Sequence, residues 1–248
     1  MESIHYDGAP YPVRSDITAS HRRSWERLAN AGTWWSSAER VAIAAEVRNA
    51  IGCRLCLARK EALSASAVEG QHDSTTALPE AAIDVAHRVT SDPGRLSRSW
   101  FDGIMAAGLS EGQYVESIGI VVTLVSIDDF CRALGLPLHP LPSPLPGEPS
   151  RYTPEGVTRE DGWVSMIASG RTGEAEADLF AEFPGGRTGN VIRAMSLVPD
   201  AVRELHDLSA SHYLPAKNVI KLRQGRAIDR MQIEFIAGRV SALNECFY

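Results

Sequence analysis

The sequence predicts an all-α protein, and three observations carry that prediction. Long stretches rich in Ala, Glu and Arg follow polar capping residues and run without Gly or Pro. The most apolar run, residues 118–127 (IGIVVTLVSI), has no second strand signal of similar strength to pair with, so it reads as buried helix despite its β-branched residues. Residues 227–243 place Ile233, Ile236, Val240 and Leu243 at helical spacing.

Each element has its own signal. Ser36 caps the stretch SAERVAIAAEVRNAIGC, with Glu39 in the first turn and no Gly before Gly52. Pro79 opens a helix that runs through His87 to Thr90, and residues 97–107 form a further candidate. Ser110 with Glu111 opens another, running through Val115 to Leu134 and stopping at Gly135, a residue suited to a left-handed helix end. Residues 190–195, 199–209 and 227–243 are the helix candidates of the C-terminal part. Between the two parts, residues 136–154 hold seven of the fourteen prolines, so they read as an extended, partly polyproline-II connector. The organisation expected is an N-terminal unit (1–135), the linker (136–154) and a C-terminal unit (155–248).

Composition narrows the classes of function. A chain of 248 residues with 44% hydrophobic residues and net charge −6 is long enough to bury a core and offers no general basic footprint for nucleic acid. Residues 118–127 are about half the length of a membrane span. The first twenty residues lack the apolar segment of a signal peptide, so the expected compartment is the cytoplasm, where thiols stay reduced unless they cycle. Four cysteines are too few for a disulfide scaffold.

The chemistry centres on Cys53-Arg54-Leu55-Cys56. On a helix, positions i and i+3 share a face, and a helix N-terminus with cations nearby makes a thiolate available as a nucleophile. Arg54, Arg59 and Lys60 are the candidate cations. If the helix from Glu39 continues, Glu39, Glu46, Cys53 and Lys60 form one stripe at seven-residue steps, and Glu46 is a candidate proton acceptor. The bland alternative is two small buried side chains beside a solvated charged face. A metal is not expected, because zinc sites usually want a second CxxC or a HxxxH set, and His72 and His87 have no ligand spacing with each other. The histidines read as surface or capping residues. Cys131 reads as core, Trp34, Trp35 and Trp100 as core or interface anchors, and no βαβ pattern supports a thioredoxin.

A faint repeat links the two ends of the chain. Glu39-Arg40 opens an apolar helical stretch ending at Cys53, and Asp229-Arg230 opens another ending at Cys246. Glu234 lies twelve residues before Cys246, about 120° away around a regular helix.

Together these residues resemble the AhpD-like alkylhydroperoxidases of the carboxymuconolactone decarboxylase superfamily. The carriers are Asp229-Arg230, Ile233-Glu234 and the run from Val240 to Cys246-Phe247-Tyr248, preceded by NVIRAMSLVPDAVRELHDL. ERVAIAAEVRNAIGCRLC and GLSEGQYVESIGIVV look like a second, diverged copy. The resemblance implies an all-α, AhpD-like fold in two copies, a homo-oligomer without cofactor, and reduction of hydroperoxides by a CxxC pair that a thiol protein or small thiol restores. It implies Cys56 as attacking thiol, Cys53 as resolving thiol, and Glu46 as proton acceptor. Glu234 and Cys246 would belong to a second, incomplete site. Two departures stand out. Lys60 occupies the position four after Cys56 where the family has His, and the sequence stops after Tyr248, where a second Cys and a His would follow. A selenocysteine codon read as a stop is the expectation for that end, beside a cut gene and a genuine loss. The alternatives in function are a non-catalytic helical oligomer and a cofactor-free decarboxylase-like enzyme.

Overall fold

Polar caps set the helix boundaries. The computed structural model describes residues 4–160, 162–168, 170–183, 188–215, 218 and 226–244. Among them, in chain order, are α1 (Ser15–Ala29), α2 (Ser37–Ala50), α3 (Arg54–Glu61), α4 (Glu80–Ser91), α5 (Arg98–Ala106), α6 (Glu111–Ala133), α7 (Asn190–Arg193), α8 (Pro199–His212) and α9 (Arg230–Leu243). The strands β1 (Val157–Thr158) and β2 (Met166–Ile167) form a short antiparallel pair. Ser36 with Glu39, Ser110 with Gln113 and Asp229 with Gln232 form reciprocal capping boxes at α2, α6 and α9. Gly135 ends α6 at φ +68°, a conformation that a residue with a Cβ adopts only under strain.

The β-branched run is helical, as expected, and it is the axis of the molecule. α6 packs against α2, α4 and α8. With Val115, Ile120, Val121, Leu124 and Ile127 all buried, it is apolar around most of its circumference, the pattern of a central helix. One core runs through the chain on both sides of the proline-rich segment. Trp35, Val121 and Leu124 belong to the same cluster as Ile167, Leu179, Val202 and Leu208. The segment 136–154 is extended and lies along the helices. Trp25 Nε1 donates to Pro140 O (2.9 Å), Leu145 N–H to Ala29 O (2.8 Å) and Ser150 N–H to Gly32 O (3.1 Å).

The short strands β1 and β2 and the separate helix α3 are absent from the sequence reading, and α1 and α9 depart from it more instructively. α1 has no counterpart in it, because the buried face of α1 is half polar: Ser20, His21 and Ser24 sit among Ile17, Trp25 and Leu28. Ser20 and His21 are satisfied against α8, through Ser20 Oγ and Ser211 Oγ (2.7 Å) and His21 Nε2 and His212 Nε2 (2.5 Å), whereas the Ser24 hydroxyl has no hydrogen-bond partner among the described residues. α9 forms with its apolar stripe in place, but only Ile233 is buried in it. Met231, Phe235, Ile236, Val240 and Leu243 are exposed.

A buried ion pair locks α2 to α6. Arg40 donates to Glu116, whose other oxygen accepts the N–H groups of Trp34 (2.6 Å) and Trp35 (3.3 Å). Gly32 permits this approach, because a Cβ there would fall on the Glu116 carboxylate. No helix among the described residues is long and apolar enough to cross a membrane.

Candidate functional site

The helix from Glu39 does not continue through the cysteines. α2 ends at Ala50, and a turn closed by Gly52 N–H to Asn49 O (3.2 Å) redirects the chain, so Cys53 is the N-cap of α3. The expected stripe of Glu39, Glu46, Cys53 and Lys60 therefore does not form. A Gly two residues after the last Ala-rich turn breaks the helix before the motif. Cys56 lies in the first turn of α3, where unpaired N–H groups favour negative charge. Both cysteines are free and buried, at 0% and 2% exposure.

The fold supplies what the motif lacks. After α3 the chain loops back and delivers His72 and Asp73. α4 then presents Asp84 and His87, three residues apart and so on one face. The His72 and His87 rings lie 4.2 Å apart between centroids, tilted by 49° to one another. His72 Nδ1 lies 3.6 Å from Cys53 Sγ and 3.5 Å from Cys56 Sγ, and His87 Nδ1 lies 3.3 Å from Cys56 Sγ. The remote nitrogens are tied down. His72 Nε2 donates to Asp84 Oδ1 (2.7 Å), and His87 Nε2 donates to Glu46 Oε2 (2.9 Å). The expectation that these histidines are scattered surface or capping groups is thus corrected. They are distant in sequence, but a helix–loop–helix return brings them together.

Both carboxylates are fully engaged. Glu46, wholly buried, also accepts from Ser74 Oγ (2.7 Å), Thr75 N–H (3.2 Å) and Asn49 Nδ2 (3.4 Å). Burial opposes its charge, but the hydrogen bonds, that of His87 foremost, outweigh it and hold the carboxyl at about 2. Asp84 accepts from Arg59 Nη1 (2.9 Å) and Trp100 Nε1 (2.6 Å) as well as His72, and these overcome burial in the same way to hold it at about 2. Arg59 and Arg54 therefore serve Asp84 and Asp73 rather than the sulfurs, as Arg54 Nη2 donates to Asp73 Oδ1 at 2.7 Å. The cation beside the thiols is His72: burial disfavours its charge, yet Asp84 and the sulfurs raise it to about 10. Burial pushes the Cys53 thiol up, but the Asp73 N–H (3.4 Å), the Cys56 backbone and His72 more than compensate and draw it down. Burial holds His87 below the usual histidine range despite Glu46, so its ring is neutral, with its one proton on Nε2 toward Glu46.

A cleft of ≈ 530 Å³ adjoins the cluster, lined among others by Arg59, His72, Ser74, Asp84 and Ile104. Neither cysteine is in its wall; His72 and Asp84 stand between the sulfurs and the cleft. The remaining expected site residues are elsewhere. On α9, half-exposed Glu234 pairs with Arg230 Nη1 (2.5 Å) and accepts from Tyr213 at the end of α8. Cys246 lies outside the described residues. Cys131 is buried core, as expected. Sequence reasoning missed His72, His87, Asp84 and Trp100 as site residues. The available signal was Asp84 and His87 at i, i+3 on a helix whose remaining face is apolar.

Comparison with protein-family models, curated proteins and solved structures gives no match.

Proposed function

We propose that the protein is a thiol-dependent peroxidase that reduces hydroperoxides at Cys53 and Cys56. The observation that carries this reading is the continuous chain Glu46–His87–Cys56, with Cys53 one helical turn away from Cys56. His87 Nδ1 bears a lone pair aimed at the Cys56 thiol, and Glu46 fixes that tautomer. In the first step Cys56 passes its proton to His87 and attacks the terminal peroxide oxygen. The O–O bond breaks, Cys56 becomes a sulfenic acid, and the alkoxide leaves as alcohol with the proton from His87. In the second, the Cys53 thiolate attacks the sulfenic sulfur. The disulfide forms, and the hydroxide takes a proton and leaves as water. A dithiol protein or small thiol then restores the pair by exchange, as suits a reducing compartment such as the cytoplasm.

The reading keeps the resemblance to the two-copy AhpD-like alkylhydroperoxidases and repairs its weak point. Lys60 stands where the family has His, and His87 from α4 fills that role. The cleft behind His72 is the route of approach, and the His72 ring is the partition that must swing aside. Glu234 and Cys246 would serve a second, C-terminal site.

Peroxide consumption by the full chain with a dithiol reductant tests the proposal. Turnover is expected in the wild type and lost in Cys53→Ser and Cys56→Ser; turnover unchanged in both variants overturns it.

A second reading, a non-catalytic helical homo-oligomer, is favoured by two observations: both sulfurs are sealed, and α9 presents Met231, Phe235 and Ile236 outward. A reduced, folded protein that leaves hydroperoxide untouched and sediments as an oligomer would support this second reading.

A further inference from the structure

Four potential ligand atoms converge on one point between α3, α4 and the loop that joins them. Cys53 Sγ, Cys56 Sγ and one ring nitrogen each of His72 and His87 all lie within 4.8 Å of one another. We propose that these four residues form a tetrahedral binding site for a divalent cation of the zinc class.

Three features of the site support this. The first is the spacing. Zinc–sulfur bonds of about 2.3 Å and zinc–nitrogen bonds of about 2.0–2.1 Å at tetrahedral angles put neighbouring S and N atoms roughly 3.5 Å apart. The S···N separations are 3.3, 3.5 and 3.6 Å. The second is the orientation of the rings. Each imidazole turns Nδ1 to the centre and commits Nε2 to a carboxylate, Asp84 for His72 and Glu46 for His87. That is the support a ligating histidine needs, because it fixes the tautomer and makes the inward nitrogen more basic. The carboxylates are themselves held, by Trp100 and Arg59 on one side and Ser74 and Thr75 on the other. The third is charge and softness. Once the cation displaces the proton from His72 Nδ1, two thiolates and two neutral imidazoles around it sum to zero, which suits a centre sealed from water. Two sulfur donors favour zinc, or iron and cobalt, over the oxygen-seeking magnesium and calcium.

Sequence spacing hides such a site. The ligands follow no finger pattern because one histidine comes from the loop and the other from α4, each set by the fold rather than by proximity in the chain.

The inference needs only the reduced thiols, so it stands independently of peroxide reduction, yet the two bear on one another. A four-ligand site leaves no open position, and a bound cation would occupy the sulfurs that peroxide must reach. Conversely, one hydroperoxide and two protons convert the two thiolates to a disulfide with release of alcohol and water. The cation then loses both charged ligands and is freed.

The test uses the full chain, reduced, stripped of metal under anaerobic conditions and shown to be folded by circular dichroism. Cobalt(II) is titrated in as a spectroscopic probe, and zinc(II) is then added to compete. The expected result is one equivalent of cobalt with intense tetrahedral visible bands and thiolate-to-metal charge transfer, all displaced by zinc. His72→Ala and His87→Ala should each weaken binding about 100-fold or more, Asp84→Asn about 10–100-fold, and Lys60→Ala should have no effect. Absence of binding by the folded wild type, a pale octahedral spectrum, or affinity unchanged in both histidine variants overturns the proposal. Peroxide turnover measured on the same preparations separates the two readings. Turnover without metal binding removes the metal site alone, and metal binding without turnover in the stripped protein removes the peroxidase alone.

Discussion

Two regions of this chain carry a glutamate followed by a cysteine on apolar helical sequence, and the fold treats them differently. Around Cys53 and Cys56 the two acids and both histidines are fully partnered. Glu46 accepts four hydrogen bonds, Asp84 three, and both histidines are held at both nitrogens. On α9, Glu234 is half-exposed, pairs with Arg230 one turn away, and shares its helix with exposed Met231 and Phe235. The same residue types thus give a buried, oriented cluster in one place and a surface ion pair in the other. What separates them is the second layer of chain. α4 and the loop before it close over α3, whereas no described element closes over the outer face of α9.

Substitutions can break this comparison, and the largest effect belongs to the sulfurs. Cys56→Ser should abolish peroxide consumption outright while leaving the helical circular dichroism intact, whereas Glu234→Gln should leave the chemistry of Cys53 and Cys56 unchanged. His87→Gln removes the group between Glu46 and Cys56. The peroxide reaction should slow by about 10²–10⁴, the ordinary contribution of a positioned proton acceptor, as measured by single-turnover kinetics.

Glu46→Ala leaves the wholly buried His87 N–H without an acceptor and removes the carboxylate that holds the Ser74 hydroxyl and the Thr75 N–H. A loss of about 3–5 kcal/mol in stability is expected by denaturant unfolding, as for other broken buried pairs. A control ion pair on the surface, Arg98 with Asp102, should cost under about 1 kcal/mol when removed.

Away from the site, pH reads the polar seam between α1 and α8. Burial, then the His212 and His139 rings, push His21 down to about 3. The unfolded chain binds that proton near pH 6.5, so the unfolded state carries more protons between those limits. Stability is therefore full above about pH 6.5 and falls as pH drops toward 3, by up to about 1.4 kcal/mol per pH unit for this group. His21→Leu should flatten that slope in unfolding curves taken at several pH values. The smallest effect is expected at the α9 face, where Phe235→Gln should change stability by no more than about 0.5 kcal/mol, because the ring is 79% exposed.

Much of the helical architecture was legible because the sequence states its boundaries locally. Ser36, Ser110 and Gly135 mark helix ends by their own conformational preferences, and the structure uses each of them as a cap or stop. α1 was not legible, since its buried face mixes Ser20, His21 and Ser24 with apolar residues, and only the partners of Ser20 and His21 on α8 explain those two. The site divides along the same line. Cys53, Cys56 and Glu46 are visible as a motif with a nearby acid. The histidines are not, because His72 and His87 reach the sulfurs through a loop closure that no local pattern encodes. Gly52, through which the stripe from Glu39 to Lys60 would have run, instead makes the turn that places Cys53 at the cap of α3.

The central claim is that Cys53 and Cys56 are a reactive pair organised by two histidine–carboxylate couples. Peptide mass mapping after addition of one equivalent of hydroperoxide to the reduced, metal-free protein tests it most directly. The account predicts a Cys53–Cys56 disulfide formed one for one with peroxide consumed, and a trapped sulfenic acid on Cys56 in Cys53→Ser. Recovery of both thiols unmodified, with the peroxide still present, would contradict it.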